Sequence, residues 1–156
     1  EYFAWASDHD LWHPKWLETM VSVLDENPPV VMAYPLSTGI DGEGEEFFTE
    51  PRKFDTFGMS KIQRVRAACT RMVGAGNMAY GLMRSDAFAK TSIYPVWLMP
   101  DRLLLMEFSI HGQYEQVDEY LWQRRYPDGM PNLSGVADNY EAFEFRLKGM
   151  GAIAKQ

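Results

Sequence analysis

Two carboxylates near the start of the chain, Asp8 and Asp10, are the residues best suited to chemistry. They follow an apolar, aromatic-rich run at residues 2–6, which predicts a short buried strand. In an extended chain, residues i and i+2 share one face, so both acids should point beyond the carboxyl end of this strand, with His9 on the opposite face. Ligands bind at that end of open α/β sheets. Two carboxylates there suit Mn²⁺ or Mg²⁺, which would in turn hold a diphosphate.

The same Asp-x-Asp spacing is also typical of an Asx turn or a helix N-cap, and the residues alone leave that alternative open. A zinc site is not favoured. His9 and His13 have the spacing of helical zinc ligands, but Pro14 disfavours a helix through both, and no Glu adjoins His9. The single Cys69 permits no internal disulfide, which indicates a reducing compartment.

The length and the overall composition of the chain predict one globular domain. The chain has 156 residues, of which 46% are hydrophobic and 24% charged. The formal net charge of -7 argues against nucleic-acid binding, which needs a basic surface. No apolar stretch is long enough to span a bilayer. We therefore expect a cytoplasmic protein, with peripheral membrane association of the full-length protein left open. Because residue 1 is not Met and adjoins the predicted strand, we expect the sequence to be part of a longer protein.

Helices and strands are predicted to alternate along the chain, which is typical of an α/β fold. The apolar spacing and the Pro and Gly breaks predict a helix that has Pro14 in its first turn and stops by Asn27, a strand at 30–36, a loop at 38–46, an irregular segment at 46–59 and a helix at 60–71. Beyond them we predict a glycine-containing strand ending at Arg84, a helix at 102–111 capped by Asp101, a strand at 115–125 and a helix at 137–148.

The order of these motifs resembles the second half of a family 2 nucleotide-sugar glycosyltransferase of the GT-A fold. Residues 11–18, Leu-Trp-His-Pro-Lys-Trp-Leu-Glu, are similar to the helix that follows the family's acidic motif. Residues 81–84, Gly-Leu-Met-Arg, are similar to a Gly-x-x-Arg strand, and residues 100–125 resemble an acid, helix, Gly and Arg-terminated strand. The resemblance covers residues 1–127, with 128–156 as a C-terminal helical extension of the same single domain, 1–156.

The resemblance implies a three-layer GT-A fold that lacks the N-terminal nucleotide-binding strands. It implies that Asp8 and Asp10 bind Mn²⁺ or Mg²⁺, with Asp10 the direct ligand and Asp8 nearer the donor ribose or the metal. Asp101 would be the general base of an inverting reaction, and Arg124 or Arg125 would contact the donor's diphosphate. The donor would be a nucleotide-sugar, with UDP favoured, and the acceptor a carbohydrate or a lipid-linked molecule.

The sequence departs from the family in two places. The usual Glu-Asp pair is Pro100-Asp101, and the Gln-x-x-Arg-Trp motif of processive synthases is absent, which favours a non-processive enzyme. Because the nucleotide-binding strands are missing, we expect the isolated chain to be inactive, and homodimerisation would cover its exposed faces. Two other functions stay open: a non-catalytic α/β interaction module, and a metal-dependent phosphohydrolase or nucleotidyltransferase.

Overall fold

A mixed six-stranded sheet organises the part of the chain that the structure describes. The computed structural model describes residues 1–49, 54–72, 75–93 and 99–126. The elements are β1 (Tyr2–Phe3), β2 (Leu11–Trp12), α1 (Trp16–Glu26), β3 (Val30–Ile40), β4 (Glu46–Thr49), α2 (Lys61–Arg71), α3 (Ala75–Met78), β5 (Leu82–Arg84), α4 (Ser85–Phe88), α5 (Pro100–Phe108) and β6 (Gln113–Arg125). The strand order is β1-β5-β3-β6-β2, and β4 also pairs with β3. The pair β3–β6 is parallel, and the other described pairs are antiparallel.

Helices cover both faces of the central strand β3. Met32 and Tyr34 belong to a hydrophobic cluster that includes residues of α2 and α5, whereas Ala33 belongs to a cluster built around α1. Successive residues of a strand point to opposite faces, so the two clusters lie on opposite sides of the sheet. This layering of helices around a sheet confirms the predicted α/β class.

The first two long helices confirm the predictions from apolar spacing. Trp16, Met20 and Leu24 form the buried face of α1, and the helix ends before the Asn-Pro-Pro sequence at 27–29. The prediction that Pro14 lies in its first turn was wrong, because the helix begins at Trp16 with Lys15 at the N-cap position. At the start of α2, the Ser60 N–H donates to the side-chain oxygen of Gln63 at 2.9 Å as part of a capping box. These helices are fixed by local sequence. None of the described helices combines the length and the apolar composition needed to cross a bilayer.

The predicted ends of β3 and of the loop after it were wrong. β3 continues to Ile40, and β4 forms where an irregular segment was predicted. The extension is held by β6, which pairs with β3 as far as Ile40–Arg125, and by β4, which pairs with residues 38–40. A Gly- and Thr-containing stretch that favours a loop locally is therefore extended because two neighbouring strands supply hydrogen-bond partners.

Two other predicted strands are shorter than expected. β1 covers Tyr2–Phe3 rather than residues 2–6, because it pairs with only two residues of the short strand β5. The stretch before β5 contains the helix α3, not a continuous strand. At Gly81 a Cβ would lie 2.7 Å from the Ala33 carbonyl oxygen, so close packing on β3 requires glycine there. The predicted helix at 137–148 and the extension 128–156 lie outside the described residues.

Helix α5 begins earlier than predicted. Its N-cap position is Met99, in left-handed backbone geometry with φ 52°, and Pro100 and Asp101 form the first turn. The prediction that Asp101 caps this helix was therefore wrong, and so was the predicted end at residue 111, because α5 ends at Phe108. The position of Asp101 in the first turn still places a carboxylate near the positive end of the helix dipole.

Candidate functional site

The carboxyl ends of the parallel strands β3 and β6 meet at one edge of the sheet. The Tyr126 N–H donates to the Ile40 carbonyl at 2.8 Å, immediately after both strands end. The Arg125 N–H donates to Oδ1 of Asp10 at 2.9 Å. The segment that carries Asp8 and Asp10 therefore lies at the same edge, which is the part of an α/β sheet where ligands bind.

Residues 8–10 form a bend rather than an extension of β1. His9 lies between the two acids: its Nδ1 is 3.0 Å from Asp8 Oδ1, and its Nε2 is 3.7 Å from Asp10 Oδ1. The prediction that His9 points away from the acids was wrong, because strand alternation does not apply within a bend. The two carboxylates also differ in environment, since the Asp8 side chain is fully exposed and the Asp10 side chain is 2% exposed.

The charge of Asp8 is stabilised by its neighbour. The hydrogen bond from His9 is the main reason that the pKa of the Asp8 carboxyl lies below its usual value, with a backbone hydrogen bond and the charge of His9 acting in the same direction. The Ser7 hydroxyl oxygen lies 3.0 Å from His9 Nδ1 as well. Asp8 is thus an exposed, ionised oxygen donor of the kind that hard divalent cations bind.

The described residues do not form a complete metal cage. No group of three or more His, Cys, Asp and Glu side chains within them is arranged to hold a metal ion. Mg²⁺ is nevertheless commonly bound by one or two carboxylates together with phosphate oxygens of its ligand. Asp8, whose side chain is fully exposed, can supply one such carboxylate, whereas the Asp10 side chain is buried and its Oδ1 accepts the Arg125 N–H.

The Arg125 side chain is committed to the backbone around this bend. Its Nε donates to the His9 carbonyl at 3.0 Å, and its Nη1 donates to the carbonyls of Asp41 and Gly42 at 2.8 and 3.0 Å. The guanidinium group therefore joins the bend at residues 8–10 to the turn between β3 and β4. Together with the bond from its own N–H to Asp10, these bonds connect the bend that carries both acids to the end of β6.

A pocket of about 380 Å³ brings Asp101 and Arg124 together. A Cβ added to Gly76 would lie 3.7 Å from Arg124 Nη1 and 3.9 Å from Asp101 Oδ2, so both charged groups lie within 4 Å of one point. The absence of a side chain at Gly76 keeps that point open. The other lining residues are Trp5, Ala6, Ser7, Ala79 and Tyr80. Because Ser7 directly precedes Asp8, the pocket opens beside the acidic bend.

Arg124 is oriented by a short hydrogen-bond chain. Its Nη1 donates to Asn77 Oδ1 at 2.8 Å, and Asn77 Nδ2 donates to the Ser37 hydroxyl oxygen at 3.1 Å. The guanidinium carbon also lies 5.2 Å from the centre of the Tyr126 ring, within cation–π range. The sequence predictions did not include Ser37 and Asn77 among the site residues. The adjacent Gly76, in a stretch singled out for its glycines, was the sequence feature closest to them.

The predicted site residues therefore fall into two adjoining groups. Asp8, Asp10 and Arg125 meet at the bend, and Asp101 and Arg124 meet in the pocket. Their roles in metal binding, donor binding and base catalysis stay predictions. Comparison of the chain with protein-family models and with curated proteins found no match.

Proposed function

We propose that this chain is part of a metal-dependent glycosyltransferase of the GT-A fold, which transfers a sugar from a nucleotide-sugar to an acceptor hydroxyl. The observation that carries the proposal is the meeting of Asp101 and Arg124 in one pocket beside the Asp8–Asp10 bend. These residues come from distant parts of the sequence. The resemblance to family 2 transferases assigns them to one reaction, and a single pocket is what such a reaction requires.

The order of elements supports the same proposal. The bend at residues 8–10 is followed by α1 and β3, then by β5 ending at Arg84, by α5 with Asp101 in its first turn, and by β6 ending at Arg125. This is the order in which the family's motifs occur, now carried on a helix–sheet–helix arrangement. We also propose that the chain has the GT-A fold and that it lacks the nucleotide-binding strands of that fold.

In the proposed reaction, Asp101 accepts the proton of the acceptor hydroxyl as that oxygen attacks the anomeric carbon of the donor sugar. The bond between the anomeric carbon and the diphosphate breaks, with inversion at that carbon. Arg124 donates to the oxygens of the departing diphosphate, held in place by Asn77. A divalent cation bound through Asp8 and Asp10 would neutralise charge on the same diphosphate. Arg125 positions the bend that carries both acids.

Calorimetric titration of UDP, GDP and dTDP into the chain, with and without Mn²⁺, tests this proposal. We expect binding of a nucleoside diphosphate only with Mn²⁺, and loss of that binding in Asp8→Asn and Asp10→Asn. Arg66→Gln, an exposed charge change on α2, is the control and should bind normally. Transfer of sugar to water or to an acceptor is then measured with the matching nucleotide-sugar on the protein extended upstream of Glu1, because the isolated chain is expected to be inactive.

The competing functions give different results in the same experiments. Release of phosphate from simple phosphate esters would favour the metal-dependent phosphohydrolase, and the absence of both nucleotide binding and ester hydrolysis would favour the interaction module. If the chain alone does not bind nucleotide, the titration is repeated on the protein extended upstream of Glu1. Failure there as well would overturn the transferase proposal.

A further inference from the structure

Helix α2 concentrates positive charge on one part of an acidic protein. The helix carries four basic side chains and no acidic ones. Residues 56–85 together contain five Lys or Arg residues and no Asp or Glu, although the formal net charge of the chain is -7. A charge distribution this uneven is typical of a surface that meets an anionic partner.

Three of the four cations on α2 are exposed and uncompensated. Lys61, Arg66 and Arg71 are exposed, and none of them forms an ion pair with another residue that the structure describes. Arg64 differs, because its Nε and Nη2 donate to the two backbone carbonyls at 109–110, at 2.7 and 3.2 Å. Arg64 therefore anchors the helix to the turn after α5, and the other three cations are available to a partner.

Two of these exposed cations line a pocket of about 370 Å³ along α2. Its described lining residues lie on adjacent rows of the helix and include no carboxylate: Gln63, Arg66, Ala67, Thr70 and Arg71. The Gln63 side-chain oxygen accepts the Ser60 N–H at 2.9 Å, which leaves the side-chain NH₂ group to donate elsewhere. Two guanidinium groups and an amide donor are the groups that phosphate oxygens bind.

Exposed apolar side chains accompany the cations. Ile62 is 81% exposed and lies one helical turn before Arg66, on the face of α2 opposite the buried Ala68. Phe57 is 53% exposed and lies in the turn that leads into α2. The outer side of α2 and the preceding turn therefore combine cations with apolar side chains that are in contact with water.

A lipid bilayer with anionic headgroups matches both features of this surface. Lys and Arg side chains are attracted to anionic headgroups, and apolar side chains are stabilised at the boundary between headgroups and acyl chains. The residues that dominate protein interfaces instead fill well-packed pockets, whereas Ile62 lies on the convex outer side of a helix. We propose that α2 docks this protein on an anionic phospholipid bilayer, with Lys61, Arg66 and Arg71 at the headgroup phosphates and Ile62 and Phe57 in the interface.

This proposal does not depend on the transferase function. The pocket on α2 shares no described lining residue with the pocket that contains Asp101 and Arg124. Docking through α2 also needs neither a nucleotide nor a divalent cation. Membrane docking can therefore hold if the proposed transfer reaction is wrong, and it can fail while that reaction stands.

The test is flotation of the full chain with lipid vesicles in the presence of EDTA. One set of vesicles contains phosphatidylcholine alone, and the other contains phosphatidylcholine with phosphatidylglycerol. We expect the chain to float only with the vesicles that contain phosphatidylglycerol. Raising the NaCl concentration from about 0.1 M to about 1 M should weaken this binding, because the screening length falls from about 10 Å to about 3 Å.

Single substitutions separate the charged and the apolar contributions. Arg66→Gln and Arg71→Gln should each weaken binding to the anionic vesicles about fivefold. Ile62→Gln should weaken it by about three- to tenfold, because an apolar side chain no longer enters the interface. All three side chains are exposed, so circular dichroism should show unchanged melting. The same Arg66→Gln variant should still bind nucleotide, which keeps this proposal distinct from the transferase function.

Matched control variants lie on α1, which packs on the opposite side of the sheet. Lys15→Gln removes an exposed cation, and Leu17→Gln removes an apolar side chain that is 57% exposed. Both should float like the unchanged chain. The proposal is overturned if the chain floats with neither vesicle type or equally with both, or if Arg66→Gln and Ile62→Gln bind as tightly as the unchanged chain. A homodimer that Arg66→Gln dissociates, in a chain that binds no vesicles, would assign the surface to a second copy instead.

Discussion

Gly76→Ala is the sharpest test of the pocket that contains Asp101 and Arg124. The new methyl group would lie 3.9 Å from Asp101 Oδ2 and 3.7 Å from Arg124 Nη1, both ordinary van der Waals distances. Neither of these two atoms has to move to accommodate it. Gly76 lies inside the helix α3, where Ala is favoured over Gly by about 0.5–1 kcal/mol. The folded chain should therefore be as stable as before, or melt about 1–4 °C higher.

The same methyl group should impair ligand binding. A phosphate oxygen bonded to Arg124 must come within about 2.9 Å of the guanidinium group, in the space that the methyl group takes. Loss of one hydrogen bond to a charged group costs about 1.5–3 kcal/mol, which corresponds to roughly 10- to 150-fold weaker binding. We expect this loss in the affinity for UDP with Mn²⁺, measured by calorimetry beside the melting temperature.

Gly81→Ala is the contrasting variant. A Cβ at Gly81 would lie 2.7 Å from the Ala33 carbonyl oxygen and 2.9 Å from Tyr34 Cβ, so β3 or the chain before β5 must shift. Overpacking of this kind costs about 1–3 kcal/mol, and the melting temperature should fall. Comparison of Gly76→Ala with Gly81→Ala distinguishes a glycine that the pocket requires from one that the fold requires. If Gly76→Ala binds UDP and Mn²⁺ as tightly as the unchanged chain, Arg124 does not bind the diphosphate in this pocket.

Three further changes test the electrostatics. His9→Ala should return the pKa of Asp8 towards its usual value, because the hydrogen bond from His9 is the main cause of the lowered pKa. NMR titration of the Asp8 carboxyl carbon measures this change. Glu115→Gln should raise the melting temperature at pH 7. The pKa of Glu115 is raised mainly by desolvation and also by the charges of two nearby carboxylates, so the ionised form of Glu115 destabilises the fold. That penalty grows as the pH rises from the unfolded-state pKa of about 4.3 to the raised folded-state value, so the advantage of Gln should vanish in more acidic solution. Arg125→Lys should lower the free energy of unfolding by about 1–3 kcal/mol in urea unfolding, because an ammonium group cannot reproduce bonds to three separate carbonyls.

Each of these changes has a matched control at an exposed position. His111→Ala should leave the pKa of Asp8 unchanged, Glu119→Gln should not alter the pH dependence of melting, and Arg71→Lys should not alter the unfolding midpoint. An unchanged Asp8 pKa in His9→Ala would contradict the assigned cause. Equal melting of Glu115→Gln and the unchanged chain at pH 7 would show that the buried carboxylate carries no penalty. An unaltered unfolding midpoint in Arg125→Lys would show that the three bonds contribute little.

The helices α1 and α2 were the most predictable part of the fold. Trp16, Met20 and Leu24 recur at helical spacing, and Ser60 with Gln63 forms a capping box, so the reasons for α1 and α2 are present within a few residues. The strands were less predictable at their ends. β3 extends to Ile40 because β4 and β6 pair with it, and β1 stops at Phe3 because β5 is short. A strand's length depends on partners that are distant in sequence.

The candidate site likewise has features that the sequence predicts and features that depend on the tertiary structure. By itself the sequence identified Asp8, Asp10, Asp101, Arg124 and Arg125 as candidates, from their residue types and from the resemblance of their order to family 2 glycosyltransferases. Only the tertiary structure decided which of them meet: it brings Asp101 and Arg124 to one pocket and commits Arg125 to backbone carbonyls. Residue types and local spacing determine which chemistry a side chain can perform. The sheet register and the packing of α3, α5 and β6 determine which other side chains lie close enough to take part in it.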